Sequence, residues 1–343
     1  MPIPGQGAVP TGALYNELTA VTRRTFIPRC FVQIYFATPT LMHMLGSSLN
    51  AGGGISQLTI PVQGNSMVQG QFTGPAGGFN APVVTPGMQD AQFPMCYWVV
   101  PVPLYFGERV LQSSSETVIS TLKARMNDVW AVTVQQMAGL MFTNNTANPL
   151  YPNSFVDAFD NGTNVATYGG INRNASGNSF WQGQYYSLSG TWGSGGTRAL
   201  MAAQILRIQD AAGGELPDFG IMSPGDFAKL NNDFIGIEQI NQGVGTAGYS
   251  LATTIRSSFP NINISGVPIY CDHFCPTGSM FFVNKRYTNM YLDEYMSFEF
   301  TGFQSLQILN QIGQQGTMVT GYNVASAKPV ANSVGVGIGG ALF

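Results

Sequence analysis

Cys271, His273 and Cys275 alternate along the chain, and on a strand that spacing would turn three metal-ligating side chains to one side. Such a trio could hold zinc if Cys30, Cys96 or His43 completed it. The paired CxxC spacing of zinc modules is absent, however, and Pro276 points to a strand end. Free cysteine behaves as a small hydrophobe, so all four cysteines read as packing residues. Asp157 and Asp160, followed by Asn161-Gly162, look like the start of a cation loop, but the remaining carboxylates of an EF-hand are missing. A turn is the better reading. Nucleophilic catalysis has few bases to draw on, because His43 and His273 are the only histidines and no G-x-S-x-G elbow occurs. Two G-x-G-x-x-G matches, Gly243/Gly245/Gly248 and Gly335/Gly337/Gly340, stand among 42 glycines. Neither leads from a strand directly into a helix, as a dinucleotide site requires. No P-loop lysine motif is present. Neither an enzyme nor a bound cofactor or metal is expected.

Composition points elsewhere. Hydrophobic residues make up 44% and aromatics 12%, enough for a sizeable core, yet only 9% of the chain is charged, against about 25% in ordinary soluble domains. A net charge of −3 argues against a dedicated nucleic-acid binder with a basic face. Between Phe31 and Gly107 the only formal charge is Asp90, and from Phe300 to Phe343 it is Lys328. A surface so poor in charge suits a chain covered by neighbours better than a freely diffusing monomer. No run of 18 apolar residues occurs, so no membrane helix is expected. The first residues lack a signal-peptide pattern, which makes cytoplasmic synthesis the expectation.

The elements that would carry such surfaces follow from periodicity. A short amphipathic stretch spans Ala13 to Arg24, and Phe26 to Phe36 reads as extended. Leu58-Thr-Ile-Pro-Val, a glycine-rich tip from Gly64 to Gly87 and a return from Phe93 to Phe106 suggest a long hairpin with no obvious core of its own. Glu108 to Phe142 has Val118, Leu122, Met126, Val129, Val132 and Met137 at spacings near three and four, which predicts one long helix ended by Asn144-Asn145. Residues 150–270 look like an α/β unit. A helix capped by Thr197 runs to Gly213-Gly214, and Phe219–Met222 is a strand. Ser223-Pro224 then starts a second helix through Phe227 and Leu230. Gly236 to Ser250 reads as a loop and Gly266 to Tyr270 as a strand. Further strands are expected over Met280–Asn284, Met290–Phe303, Leu306–Ile312 and Thr317–Val324.

This order of arm, extended loop, long helix, compact α/β unit and terminal strands resembles tailed-bacteriophage major capsid proteins of the Hong Kong ninety-seven fold. Local stretches carry the likeness: Leu18 to Pro28, Phe155 to Asp160, Tyr168 to Arg173, Phe180-Trp-Gln, Ile221 to Leu230, Gly266 to Asp272 and Cys275 to Asn284. The resemblance implies an α+β capsid fold in which residues 1–50 form an N-terminal arm and 51–92 the extended loop. Residues 93–148 and 271–326 would form a peripheral domain around the long spine helix, with 149–270 an axial domain and 327–343 a tail. It also implies self-assembly into the pentamers and hexamers of an icosahedral shell around nonspecifically held double-stranded DNA. The portal protein and separate scaffolding and cement proteins would be further partners. The virion capsid would be its location, with the host cytoplasm during assembly and no membrane. Phe72, Phe79 and Met88 are the expected intersubunit anchors, and Arg23, Arg24 and Arg29 the expected DNA-facing cluster. Some family members crosslink subunits through a lysine in the extended loop. No lysine precedes Lys123, so a noncovalent shell is expected. The alternative within the fold is an encapsulin-like cellular nanocompartment; an α/β hydrolase or metalloenzyme is the alternative from another class.

Overall fold

The computed structural model describes residues 38–64, 87–105, 115–146, 148–187, 197–230, 261–305 and 313–337. In chain order the elements are α1 (Pro39–Gly46), β1 (Leu49–Asn50), β2 (Gln57–Gln63), β3 (Met88–Pro94), β4 (Cys96–Tyr105), α2 (Ser115–Leu140), α3 (Phe155–Phe159), β5 (Thr167–Tyr168), β6 (Ile171–Asn172) and β7 (Gln184–Ser187). They continue with α4 (Thr197–Ala211), β8 (Phe219–Met222), α5 (224–230), β9 (Asn261–Ile264), β10 (Val267–Cys271), β11 (Ser279–Val283), β12 (Thr288–Leu292), β13 (Glu299–Ser305), β14 (Gly313–Ser326) and β15 (Ser333–Val336). The expected segments 13–24, 26–36, 236–250 and 306–312 lie outside the described residues.

Two sheets share one core. In the first, β14 pairs along one edge with β4, from Gly313↔Tyr105 to Tyr322↔Cys96, and along the other with β12 and β13. Helix α2 lies against it, burying Leu122, Met126, Val129, Trp130, Val134 and Met137 in a cluster with Val102, Leu104 and Met318. The buried stripe recurs at three and four residues because that period keeps one helical face on the sheet. Trp98 Nε1 donates to Thr133 Oγ1 at 3.3 Å and fixes helix to strand. The helix ends where Asn145 Nδ2 donates to the otherwise unpaired carbonyl of Leu140, at 2.9 Å.

The second sheet has the order β7-β15-β11-β8-β10-β9. Strands β8 and β11 are buried at every position, as strands with both faces covered must be. Ile221, Phe281 and Val283 point into the shared core, whereas Met222, Met280 and Phe282 meet Met201, Ile205, Phe227 and Leu230 of α4 and α5. Ser223 begins α5 as read from sequence, its Oγ accepting from Asp226 N at 3.2 Å. Gly213 and Gly214, at φ 79° and 99°, end α4. Thr197, the expected cap, is the first helical residue, a one-residue shift at a boundary. Strand β11, drawn from the 271–326 segment, thus sits beside β8 from 149–270, and β15, from 327–343, lies between β11 and β7.

Three features differ from the sequence reading. The expected strand Met290–Phe303 is broken: β12 and β13 lie end to end along the same edge of β14, separated by residues 293–298. Asp293 Oδ1 accepts from Tyr295 N and Met296 N at 2.9 and 3.1 Å. Phe298 then turns back with φ 54°, its ring stacked on Trp130 at 5.1 Å. Helix α1 has no counterpart in the sequence reading. It buries Leu41, Met44 and Leu45, and its Thr40 N donates to Asp272 Oδ2 at 3.2 Å across 232 positions of sequence. The hairpin also has a seat on its own chain, where Phe93 packs against Tyr168.

Candidate assembly surface

The seat is built from a buried cation. Arg173 is fully enclosed, with Nη1 donating to the carbonyls of Asp157 (2.8 Å) and Val165 (3.2 Å), Nη2 to Ala158 (2.7 Å) and Nε to Trp181 (3.1 Å). The guanidinium fork suits this task because it offers five rigid donors. Burial lowers its pKa to about 10, with Tyr168, Asp160 and Asp157 opposing, so the charge persists at neutral pH. Asp157 closes the capping box of α3, exchanging hydrogen bonds with Ser154. Burial raises its pKa to about 6, against the bonds from Ser154 and Asn145 and the charge of Arg173. Asp160 Oδ2 accepts from the backbone of Gly162, Asn164 and Val165. The residues that looked like a cation loop therefore bind backbone, and Gly162 takes φ 96° in the expected turn.

Onto this seat the hairpin docks. β2 and β3 pair from Gln57↔Pro94 to Gln63↔Met88. Val62, Ala91 and Phe93 are buried, and the Phe93 ring lies 5.1 Å from that of Tyr168. Gln92 N donates to Gly169 O at 2.8 Å, and Gln89 Nε2 to Asn178 Oδ1 at 3.1 Å. Gly169, at φ 57°, brings its backbone so near that a Cβ there would stand 2.8 Å from Phe93. The expectation of a hairpin without a core is therefore corrected for its base. Alternation along β3 turns every second side chain inward, and the inward set is anchored within the subunit.

Outward, the first sheet shows apolar side chains beside two carboxylates: Glu299 stands across from Val319, and Asp293 Oδ2 accepts from the Tyr97 hydroxyl at 3.3 Å. On the face of the first sheet away from α2, Tyr97 is 42% and Val99 53% exposed. Pro101 is also open, and Thr317 and Val319 beside these residues are half-buried. Among the described residues the second edge of β4 is unpaired, and Pro101 and Pro103 on it remove two backbone donors. A depression of about 150 Å³ lies between Tyr97, Leu140, Leu150, Tyr151 and Tyr322, without a charged lining residue. Exposed apolar surface of this kind marks contact sites.

Of the expected anchors, Met88 stands on β3 with 56% exposure. Phe72 and Phe79 lie outside the described residues, as do Arg23, Arg24 and Arg29. The one-sided presentation that a continuous strand would give Cys271, His273 and Cys275 does not form. Strand β10 ends at Cys271, His273 is exposed in the following turn, and Cys275 is buried. Among the described residues no group of three or more His, Cys, Asp or Glu side chains could hold a metal ion. His43, beyond reach of sequence reasoning, stacks on Phe219 at 4.8 Å and meets Tyr270 at 4.7 Å.

No family profile and no curated protein matches this sequence. Solved structures do. The chain is similar to a subunit of the cyanophage A-1(L) capsid, at TM-score 0.61 and 12% identity, covering 87% of this chain and 92% of that one. It is similar to the capsid of Myoviridae phage XM1, at TM-score 0.55, 9% identity and coverage of 87% and 92%. It is also similar to a chain of the satellite phage P4 procapsid with its size determination protein, at TM-score 0.51, 10% identity and coverage of 95% and 96%. At such identities the likeness is one of fold. The expected α+β capsid fold is the observed one.

Proposed function

We propose that this chain is the major capsid protein of a tailed double-stranded DNA bacteriophage, a structural subunit that assembles with copies of itself into pentamers and hexamers of an icosahedral shell. The observation that carries the reading is the capsid fold along nearly the whole chain, joined to an exposed sheet face whose Tyr97, Val99 and Pro101 carry no charge. Segments 1–50 and 51–92 would reach neighbouring subunits, with Phe72, Phe79 and Met88 as anchors, the last exposed on β3. Residues 93–148 and 271–326 would be peripheral, 149–270 axial and 327–343 the tail. Genome contact would be diffuse, through phosphates and the Arg23, Arg24 and Arg29 cluster, and would weaken steeply with salt. Portal, scaffolding and cement proteins complete the expected partners, in the virion and, during assembly, the host cytoplasm.

Electron microscopy of the purified protein tests the proposal, alone and with Val99→Asp. Closed icosahedral particles are expected from the parent chain and only soluble, folded subunits from the variant. A parent chain that stays monomeric at every concentration and salt would overturn the function. Particles filled with a protein cargo instead of DNA in the native host would favour the nanocompartment alternative.

A further inference from the structure

Asn161-Gly162 is the only Asn-Gly pair in the chain. Such pairs are chemically fragile, because an unhindered glycine lets the following backbone nitrogen reach the asparagine side chain. The Gly162 N–H loses its proton to solvent base, and the nitrogen forms a bond to Asn161 Cγ. The Cγ–Nδ2 bond then breaks, and Nδ2 leaves as ammonia after taking a proton from water. Water opens the resulting imide to aspartate or isoaspartate.

The fold cannot discard the hazard by replacing the glycine. Gly162 has φ 96°, and a Cβ there would lie 2.5 Å from Asn174 Oδ1. Asn161 is also in use, its Oδ1 accepting from Thr163 N at 3.1 Å. The nucleophile itself is occupied: Gly162 N donates to Asp160 Oδ2 at 2.8 Å, and Asp160 is fully buried. Removing that proton would break a charge-assisted hydrogen bond and leave an amide anion facing a carboxylate, where water cannot screen the repulsion. We propose that Asn161-Gly162 is a latent deamidation site and that Asp160 guards it by holding the Gly162 N–H. The modification would then occur only in molecules whose turn has opened. It would place a second negative group beside Asp160, in the turn held to Asn174 through the bond from Asn174 Nδ2 to Gly162 O, at 2.9 Å.

The test ages the intact chain at mildly alkaline pH, in native buffer and in urea, and reads residue 161 by peptide mass spectrometry. Loss of one charge-assisted hydrogen bond corresponds to roughly ten- to hundredfold in rate, so native protein should deamidate slower than unfolded chain by at least that range. Equal rates would overturn the proposal. Hydrogen exchange at Gly162, which is base-catalysed through the same amide anion, should be retarded to a similar degree in the native protein; exchange at the unfolded rate would also overturn it. Asp160→Asn should speed native deamidation about tenfold. A folded variant with the parent's rate would assign the protection to rigidity alone and refute the role of Asp160, while the exchange measurement decides the matter if the variant does not fold.

Discussion

Phe93→Ala separates two accounts of the hairpin. If β2 and β3 were held only by neighbouring subunits, truncating Phe93 would leave an isolated subunit unchanged. The structure says otherwise: the ring is fully buried against Tyr168 and the Gly169 backbone. Emptying such a site removes the transfer energy of the ring and leaves a cavity, about 3–5 kcal/mol for Phe→Ala in a packed core. Against a total stability of about 5–15 kcal/mol, that is at least about a fifth of the whole, and the urea midpoint should fall in proportion if the slope is unchanged. The assay is urea unfolding of unassembled subunits followed by tryptophan fluorescence. Trp181, buried 5.8 Å from Tyr168, is a local reporter. Met88→Ala on the outer side of β3 serves as control and should move stability by no more than about 0.5 kcal/mol. An unchanged midpoint in Phe93→Ala, with shell formation lost, would refute the intramolecular seat and assign the ring to a neighbour.

Leu122→Pro in α2 removes a backbone bond and introduces a ring clash at a buried position, costing about 3 kcal/mol or more; thermal melting identical to the parent would contradict the helix. Arg173→Met strands four carbonyls now bonded to the guanidinium. At about 1–3 kcal/mol for each buried group left unpaired, the loss should exceed about 4 kcal/mol, and soluble protein melting as the parent does would disprove it. Burial, with Lys285 adding and Asp218 opposing, lowers the His43 pKa to about 4. The folded protein therefore resists a proton that the unfolded chain takes up below the ordinary 6.5, so the stability of the neutral stacked ring is complete above pH 6.5 and lost as pH falls toward 4. His43→Phe, which keeps an aromatic ring between Phe219 and Tyr270, should flatten the fall in urea midpoint between pH 7 and 5; parallel profiles would defeat the assignment.

What the sequence disclosed was local. The three-four spacing around Leu122 and Met126, the Ser223-Pro224 start of α5 and the Gly213-Gly214 stop each depend on neighbouring residues, and each is where expected. What it hid depends on distant ones. Asp272 anchors α1 from 232 positions away, so no pattern near Thr40 foretells the bond. The break between β12 and β13 is set by Gly321, whose N–H donates to Met296 O at 2.7 Å and whose carbonyl accepts from Asp293 N at 3.0 Å. No local pattern marks Arg173 as buried, and only the folding of residues 157–181 around it makes it a core residue. The apolar periodicity of the hairpin showed a one-sided strand pair without showing which chain would cover that side.

The place of β14 has a consequence for synthesis. It joins β4, β12 and β13, yet it spans residues 313–326 and leaves the ribosome after all of its partners. β15, the strand that fills the gap between β7 and β11, follows later still. Until β14 emerges, β4 lacks its one sheet partner among the described residues, and the apolar stripe of α2 has only part of its cover. Long-range closure of this kind is slow and comes late. A translation product cut short before Gly313 would lack the strand that gathers the first sheet.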